Sequence, residues 1–192
     1  HLIDDGSVDN TFEIIKKIEQ KHTNCFAHRN ITNLGKSNII RMGIHKVIKE
    51  YNYDYIGYFD ADLSTPLIEV NNFINKFQEN DKLILVMGCR IQRSGANIIR
   101  DNYRHYFSRI FVTFINNYLN IKFYDTQAGA KLFRVSNVKT IFNKKFITNW
   151  LFDIEIILRI KKQKKQSIYE LIYELPLESW VEKSGSKIKL II

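Results

Sequence analysis

Cysteine is scarce: Cys25 and Cys89 are the only two in a chain of 192 residues. Their spacing fits neither a metal knuckle nor a disulfide framework. That favours a reduced, cytosolic setting with both thiols partly buried. Long apolar runs are lacking too. No stretch of about 18 apolar residues occurs, so no membrane-spanning helix is expected. No signal peptide is visible. No period of about 20–50 residues recurs, which argues against a repeat protein. The G-x-x-x-x-G-K-[ST] spacing of a Walker phosphate loop is absent, which disfavours that class of ATPase.

What is present suits an enzyme-sized core. Hydrophobic residues make up 45% and aromatics 13%, enough to exclude disorder. The length suggests a single domain, 1–192. The chain opens at His1-Leu2-Ile3 inside an apparent strand and closes on Leu190-Ile191-Ile192, so it is expected to be a piece of a longer protein. The formal charge is +9, which permits nucleic acid, an anionic membrane face or a phosphorylated substrate. The basic cluster Lys161-Lys162-Gln163-Lys164-Lys165 is either a solvated helix end, where cations suit the dipole, or a membrane-surface patch. Its lysines are not interleaved with stacking aromatics, so no nucleic-acid partner is expected.

Periodicity predicts alternating strands and helices. Strands are expected ending at Ile3, near Cys25–Ala27, running into Asp60, and at Leu83–Gly88. Helices are expected over 11–22 and 36–51, and from Pro66, which suits a first helical turn. The second half is less regular. A long amphipathic helix is expected over 102–120, a strand over 131–135, a helix over 152–160, and a last strand over 168–175 stopped by Pro176. Such alternation indicates a mainly parallel central sheet flanked by helices.

The carboxylates carry the chemistry. An apolar strand delivers Asp60 and Asp62, one residue apart, to its carboxyl end, where open α/β sheets bind ligands. Paired carboxylates suit Mg²⁺ or Mn²⁺ shared with substrate phosphates. Asp4-Asp5-Gly6-Ser7 opens a helix, where free N–H groups accept anions. Its acids could accept N–H groups of a sugar or base, or Ser7 and Asp9 could simply cap the helix. Lys36 follows Gly35 at another helix start and could reach a diphosphate. Arg90, Arg100 and Arg104 offer forks for phosphate. Asp125 and Gln127 lie in a loop before Lys131. Trp150, Asp153 and Glu155 set two acids among large apolar groups, as ligands or as helix N-terminal charge.

In order, D-D-G-S-V-D at 4–9, N-L-G-K at 33–36, D-A-D at 60–62, G-C-R at 88–90, D-T-Q-A-G-A-K-L-F at 125–133, W-L-F-D-I-E at 150–155 and W-V-E-K-S-G-S-K at 180–187 resemble the inverting family-2 glycosyltransferases of GT-A fold. The branch most similar is that of the dolichyl-phosphate glucosyltransferases and their polyprenyl-phosphate relatives. The opening strand and P-x-Y-N-E segment of that family are absent here. The third residue of G-S-R is kept as Arg90, but Cys89 replaces the serine, Ala128 replaces the usual cysteine, and Ser37 replaces a glycine.

The resemblance implies a hexosyltransferase. A nucleotide diphosphate sugar, UDP- or GDP-linked, would be held by Asp4, Asp5, Gly6, Ser7 and Lys36, with Asp62 and Asp60 on the divalent ion. A polyprenyl phosphate acceptor at the cytoplasmic face of a membrane would meet Arg90, Arg100, Arg104 and Lys131. Gln127, Trp150, Asp153 and Glu155 would line the substrates. For a hydroxyl acceptor on a cell-surface glycan, the alternative, Asp125 would be the base. A non-catalytic nucleotide-sugar binding module is the third reading. Asp5, Asp60, Asp62, Arg90, Asp125 and Gln127 are expected to line one cleft.

Overall fold

The computed structural model describes residues 1–99, 102–163 and 166–183, with 102–108 and 111 described only by their place in a helix. Two compact units form. One joins residues 1–54 with 135–160, the other joins 55–134 with the chain from 161 onward.

The first unit opens with β1 (Leu2–Asp5), α1 (Thr11–Lys21), β2 (Ala27–Asn30) and α2 (Lys36–Glu50). β1 and β2 pair in parallel, Leu2 opposite Ala27. α1 turns Phe12, Ile15 and Ile18 inward at helical spacing, and all three are half-buried. α2 buries Ile44 and Val47. At Gly43 a Cβ would stand 2.2 Å from Ile3 Cδ1, so the missing side chain lets α2 lie close on β1. α5 (Val135–Ile141) and most of α6 (Phe152–Gln163) complete the unit. The rings of Phe142, Phe146 and Phe152 meet edge to face there.

The second unit holds a four-stranded sheet in the order β3 (Tyr55–Phe59), β6 (Ala130–Arg134), β4 (Leu85–Cys89), β7 (Ile172–Pro176). β6 runs antiparallel to both neighbours, while β4 and β7 are parallel. β5 (Asn97–Ile99) and β8 (Ser179–Val181) form a small parallel pair. Among the described residues, two of the three ladders of the central sheet are thus antiparallel, so this sheet is mixed where a mainly parallel one was expected, while β1–β2 is parallel. All of β4 is buried, and so are the first four residues of β6, as strands covered on both faces should be. α3 (Val70–Glu79) lays Phe73 and Phe77, both fully buried, against Val86, Leu132, Leu175 and Trp180. α4 (Asn102–Leu119) and the single turn α7 (Ile168–Leu171) complete the unit.

Some boundaries differ from expectation. Pro66 is extended and precedes a 3₁₀ turn over Leu67–Glu69, rather than sitting inside α3. The expected strand over 168–175 is a helical turn followed by β7. β2 begins only at Ala27, the last residue of the apolar Cys25-Phe26-Ala27, and runs on through Asn30, because a two-stranded ribbon tolerates His28, Arg29 and Asn30.

Candidate active site

β3 ends at Phe59, and the chain turns at once. Asp60 O accepts the Leu63 N–H at 3.2 Å, and Leu63 takes a φ of +55°. Asp62 Oδ1 accepts the Ser64 N–H at 2.9 Å. Asp60 is left half-buried and Asp62 exposed at the carboxyl end of the strand. No trio of His, Cys, Asp or Glu gathers among the described residues. A divalent ion on this pair would therefore complete its shell with water and substrate oxygens. The all-oxygen donor set fits Mg²⁺ or Mn²⁺ held in that way.

The segment Asp125–Gly129 is built around this turn. Its far end packs on Asp60: the Asp60 N–H donates to Gly129 O at 2.8 Å. A Cβ on Gly129 would fall 1.9 Å from Asp60 Oδ2, so only glycine admits the carboxylate there. Its near end is clamped by Arg90. Nε meets Asp125 Oδ2 at 2.6 Å, Nη2 meets Oδ1 at 2.8 Å, and the Arg90 backbone N–H adds a third bond to Oδ2 at 3.1 Å. The Arg90 guanidinium also lies 5.1 Å from the Trp180 ring centre. Burial opposes its charge, but Asp125, helped by Asp60, outweighs burial and raises its pKa above the ordinary arginine value. The middle of the segment is held from beneath. Lys131 Nζ donates to Ala128 O at 2.7 Å.

Two expected roles change on this geometry. Asp125 is 5% exposed with both oxygens on a guanidinium, so it is spent as a brace rather than poised as a base. Lys131 is 0% exposed, and on β6 it stands between Tyr58 and Met87. Its ammonium is engaged within the segment, at Ala128 O.

Glu174, not singled out from the sequence, completes the support. From β7 its Oε2 and Oε1 accept the Tyr124 and Asp125 N–H groups at 2.8 and 2.7 Å. Burial pushes its carboxyl up, the two N–H groups pull it back, and the neighbouring Asp125 charge pushes it up again. Burial, with the charges of Glu174 and Asp125, lifts the Cys89 thiol to about 12, so it stays protonated and inert. Glu69, also missed, holds β8 by accepting the Glu178 and Ser179 N–H groups.

Most of the other sequence-derived residues lie in the first unit. Asp5 Oδ1 and Oδ2 accept the Leu34 and Gly35 N–H groups at 2.9 and 2.8 Å, so Asp5 shapes the loop that presents the exposed Lys36. That is a bracing role where a ligand contact was expected. Gly6 and Gly35 hold positive φ in these turns. Asp4 is 2% exposed; Oδ1 takes the Ser7 N–H at 2.9 Å. Arg29 Nε is 3.4 Å from Oδ2, close enough for charge attraction but outside hydrogen-bond geometry, which leaves Oδ2 a buried acceptor without a donor. Asp9 Oδ1 accepts the Thr11 N–H at 3.0 Å just ahead of α1, whose N-cap is Asn10 and carries no side-chain cap bond. Glu155 also proves structural: it accepts the Ile147 N–H and grips Arg159, which ties down three carbonyls of 141–145. Asp153 is buried in the first turn of α6, where the helix dipole favours its charge, and Trp150 is exposed. Gln127 is half-buried in the clamped segment. Arg100 and positions 184–187 of the W-V-E-K-S-G-S-K motif lie outside the described residues, as does the side chain of Arg104. Of the set expected in one cleft, Asp60, Asp62, Arg90, Asp125 and Gln127 share the second unit, while Asp5 belongs to the first.

This is the architecture of the GT-A glycosyltransferases. Glucosyl-3-phosphoglycerate synthase of Mycobacterium tuberculosis, solved with Mn²⁺ and UDP-glucose, superposes with a TM-score of 0.64 at 13% identity, over 96% of this chain and 60% of that one. The chain belongs to glycosyl transferase family 2, whose profile matches residues 1–142. A dolichyl-phosphate beta-glucosyltransferase of Saccharomyces cerevisiae is 31% identical over 209 residues, covering 100% of this chain and 59% of that protein. One of Trichomonas vaginalis is 26% identical, covering 98% of this chain and 56% of its own length. The chain thus spans a little over half the length of these relatives. The resemblance of the motifs to this branch holds along nearly the whole sequence.

Proposed function

We propose that the chain transfers a hexose, with inversion, from a nucleotide diphosphate sugar to a polyprenyl phosphate at the cytoplasmic face of a membrane. The observation that carries the acceptor class is the Arg90–Asp125 clamp. A hydroxyl acceptor needs a base to take its proton, and the best-placed carboxylate is committed on both oxygens to Arg90. A phosphate acceptor is already an anion. It needs placing and charge shielding instead. The two relatives named above carry dolichyl phosphate in their names, which supports the same class.

In this reading an oxygen of the acceptor phosphate attacks C1 of the sugar, and the bond from C1 to the diphosphate breaks. Mg²⁺ or Mn²⁺, when bound, would neutralise charge on the departing diphosphate. Asp62, exposed and with one oxygen engaged by its own turn, would hold it, with Asp60 beside it or toward the ribose. Gly129 fixes where Asp60 points. Arg90, Glu174 and Lys131 keep the segment 125–129 rigid, so that Gln127 is presented in one place. Lys36 shields the diphosphate. Asp4, its side chain buried beside Arg29, would shape the turn at Gly6 and Ser7 that receives the nucleotide. Arg100 and Arg104 take the acceptor phosphate, and Trp150 and Asp153 flank the substrates.

Radiolabelled UDP- and GDP-hexoses, supplied with Mn²⁺ and in turn polyprenyl phosphate, the free polyprenol and an oligosaccharide, test the reading. Label is expected to move to the polyprenyl phosphate alone. Equal transfer to a hydroxyl acceptor would overturn it in favour of the glycan alternative, and metal-dependent binding without transfer to any acceptor would leave only a binding module.

A further inference from the structure

α4 carries an apolar row that the fold does not use. Ile110, Phe114 and Tyr118 are 72%, 67% and 79% exposed, and the last two rings stack on each other in the open. At about 100° per residue these three positions lie on one side of the helix. Among the described side chains, the opposite side makes the contacts to the fold. Val112 is buried, Arg109 donates to Tyr124 O at 2.6 Å, and Asn116 donates to Phe123 O at 2.6 Å. The row is therefore distinct from the side by which Arg109, Val112 and Asn116 tie α4 to the fold. Three large apolar groups four residues apart are more than the scattered exposure expected of a surface.

Charge says what covers them. Residues 102–119 contain no acid. Lys161 Nζ donates to Leu119 O and Asn120 O at 3.1 Å each, which fixes that ammonium at the carboxyl end of α4. Lys162 and Lys122 are exposed next to it in sequence on their own segments. An exposed apolar row on an acid-free helix whose carboxyl end is held by Lys161, with Lys122 and Lys162 exposed on the adjoining segments, matches the boundary of a bilayer that carries anionic lipid. A second copy of the chain would set these like charges against each other across a twofold interface.

We infer that the Ile110–Phe114–Tyr118 face of α4, with Lys122, Lys161 and Lys162, docks on an anionic lipid surface. The inference rests on the proposed transfer to a polyprenyl phosphate and names the surface that brings the enzyme to it. The same helix grips Phe123 and Tyr124 through Asn116 and Arg109, next to Asp125. Docking would thus orient the clamped segment toward the lipid phase.

Co-sedimentation with vesicles of phosphatidylcholine containing 30% phosphatidylglycerol tests it, with the chain's thermal melt as the control for folding. The protein is expected to bind these vesicles at least tenfold more tightly than pure phosphatidylcholine. Binding should weaken with salt and fall about tenfold in Phe114→Ser/Tyr118→Ser. Lys122→Glu/Lys162→Glu should lower it by a similar factor without touching the apolar row. Transfer to a short, water-soluble polyprenyl phosphate should be unchanged in both variants. Equal binding by the variants and the parent would overturn the docking surface, even where transfer to the soluble acceptor persists and the proposed function stands. Loss of a dimer in Phe114→Ser/Tyr118→Ser, with no vesicle binding by the parent, would overturn it in favour of a subunit interface.

Discussion

Asp62→Asn is expected to lower kcat/KM for transfer about a thousandfold, or about 4 kcal/mol of transition-state stabilisation, and to leave the thermal melt where it was. The asymmetry follows from position. Asp62 is exposed, and its one bond to the Ser64 N–H can be made equally by an asparagine oxygen. The fold therefore loses almost nothing. The site loses a formal negative charge on a hard oxygen donor, and with no third His, Cys, Asp or Glu gathered around the pair among the described residues, nothing there replaces it. Initial rates against Mn²⁺ concentration, for parent and variant, measure the effect. A variant with parental rates at saturating Mn²⁺ would remove Asp62 from the site.

Gly129→Ala should separate function from stability in the same direction by a different route. The new methyl group would meet Asp60 Oδ2 at 1.9 Å and Cγ at 2.2 Å. Those atoms end a short side chain that can rotate, so the protein escapes the clash by turning Asp60 out of place. The cost to folding is about 1 kcal/mol, of the order of a strained rotamer. The cost to transfer is expected to be about a hundredfold in kcat/KM, about 3 kcal/mol, because the displaced carboxylate belongs to the proposed metal pair. Chemical denaturation and steady-state kinetics on one preparation make the comparison. Parental kcat/KM in Gly129→Ala, or a loss of stability large enough to account for the inactivity, would contradict the assignment.

Local signals explain what the sequence made legible. The helices declared themselves by apolar residues at 3.6 spacing, as with Ile74 and Phe77 on α3 or Ile44 and Val47 on α2. β3 and β4 declared themselves by continuous apolar runs. β5 and β8 did not, because each is three residues long and exists only by pairing with the other some 80 residues away in sequence. The turn at Ile168–Leu171 was read as strand because four apolar-rich residues before a real strand carry no helical period.

The site divides along the same line. Asp60, Asp62, Arg90 and Asp125 could each be marked by residue type and place, and the motifs ordered them into one family. That Arg90 would consume both oxygens of Asp125 was not written in either residue. It depends on β4 and the segment after α4 coming together in space. Glu174 was invisible for the same reason, since its partners are backbone N–H groups 49 and 50 residues upstream. Lys131 looked like a free cation because sequence does not report that β6 is central and covered on both faces.

Electron paramagnetic resonance of Mn²⁺ tests the central claim most directly, because bound and free Mn²⁺ give different signals without any need for turnover. The account predicts that the chain retains Mn²⁺ weakly alone and at least tenfold more tightly when UDP or GDP is added, since the protein supplies two carboxylates and the diphosphate supplies further oxygens. It also predicts that Asp62→Asn abolishes the gain. Mn²⁺ binding that ignores the nucleotide, or that survives unchanged in Asp62→Asn, would contradict it.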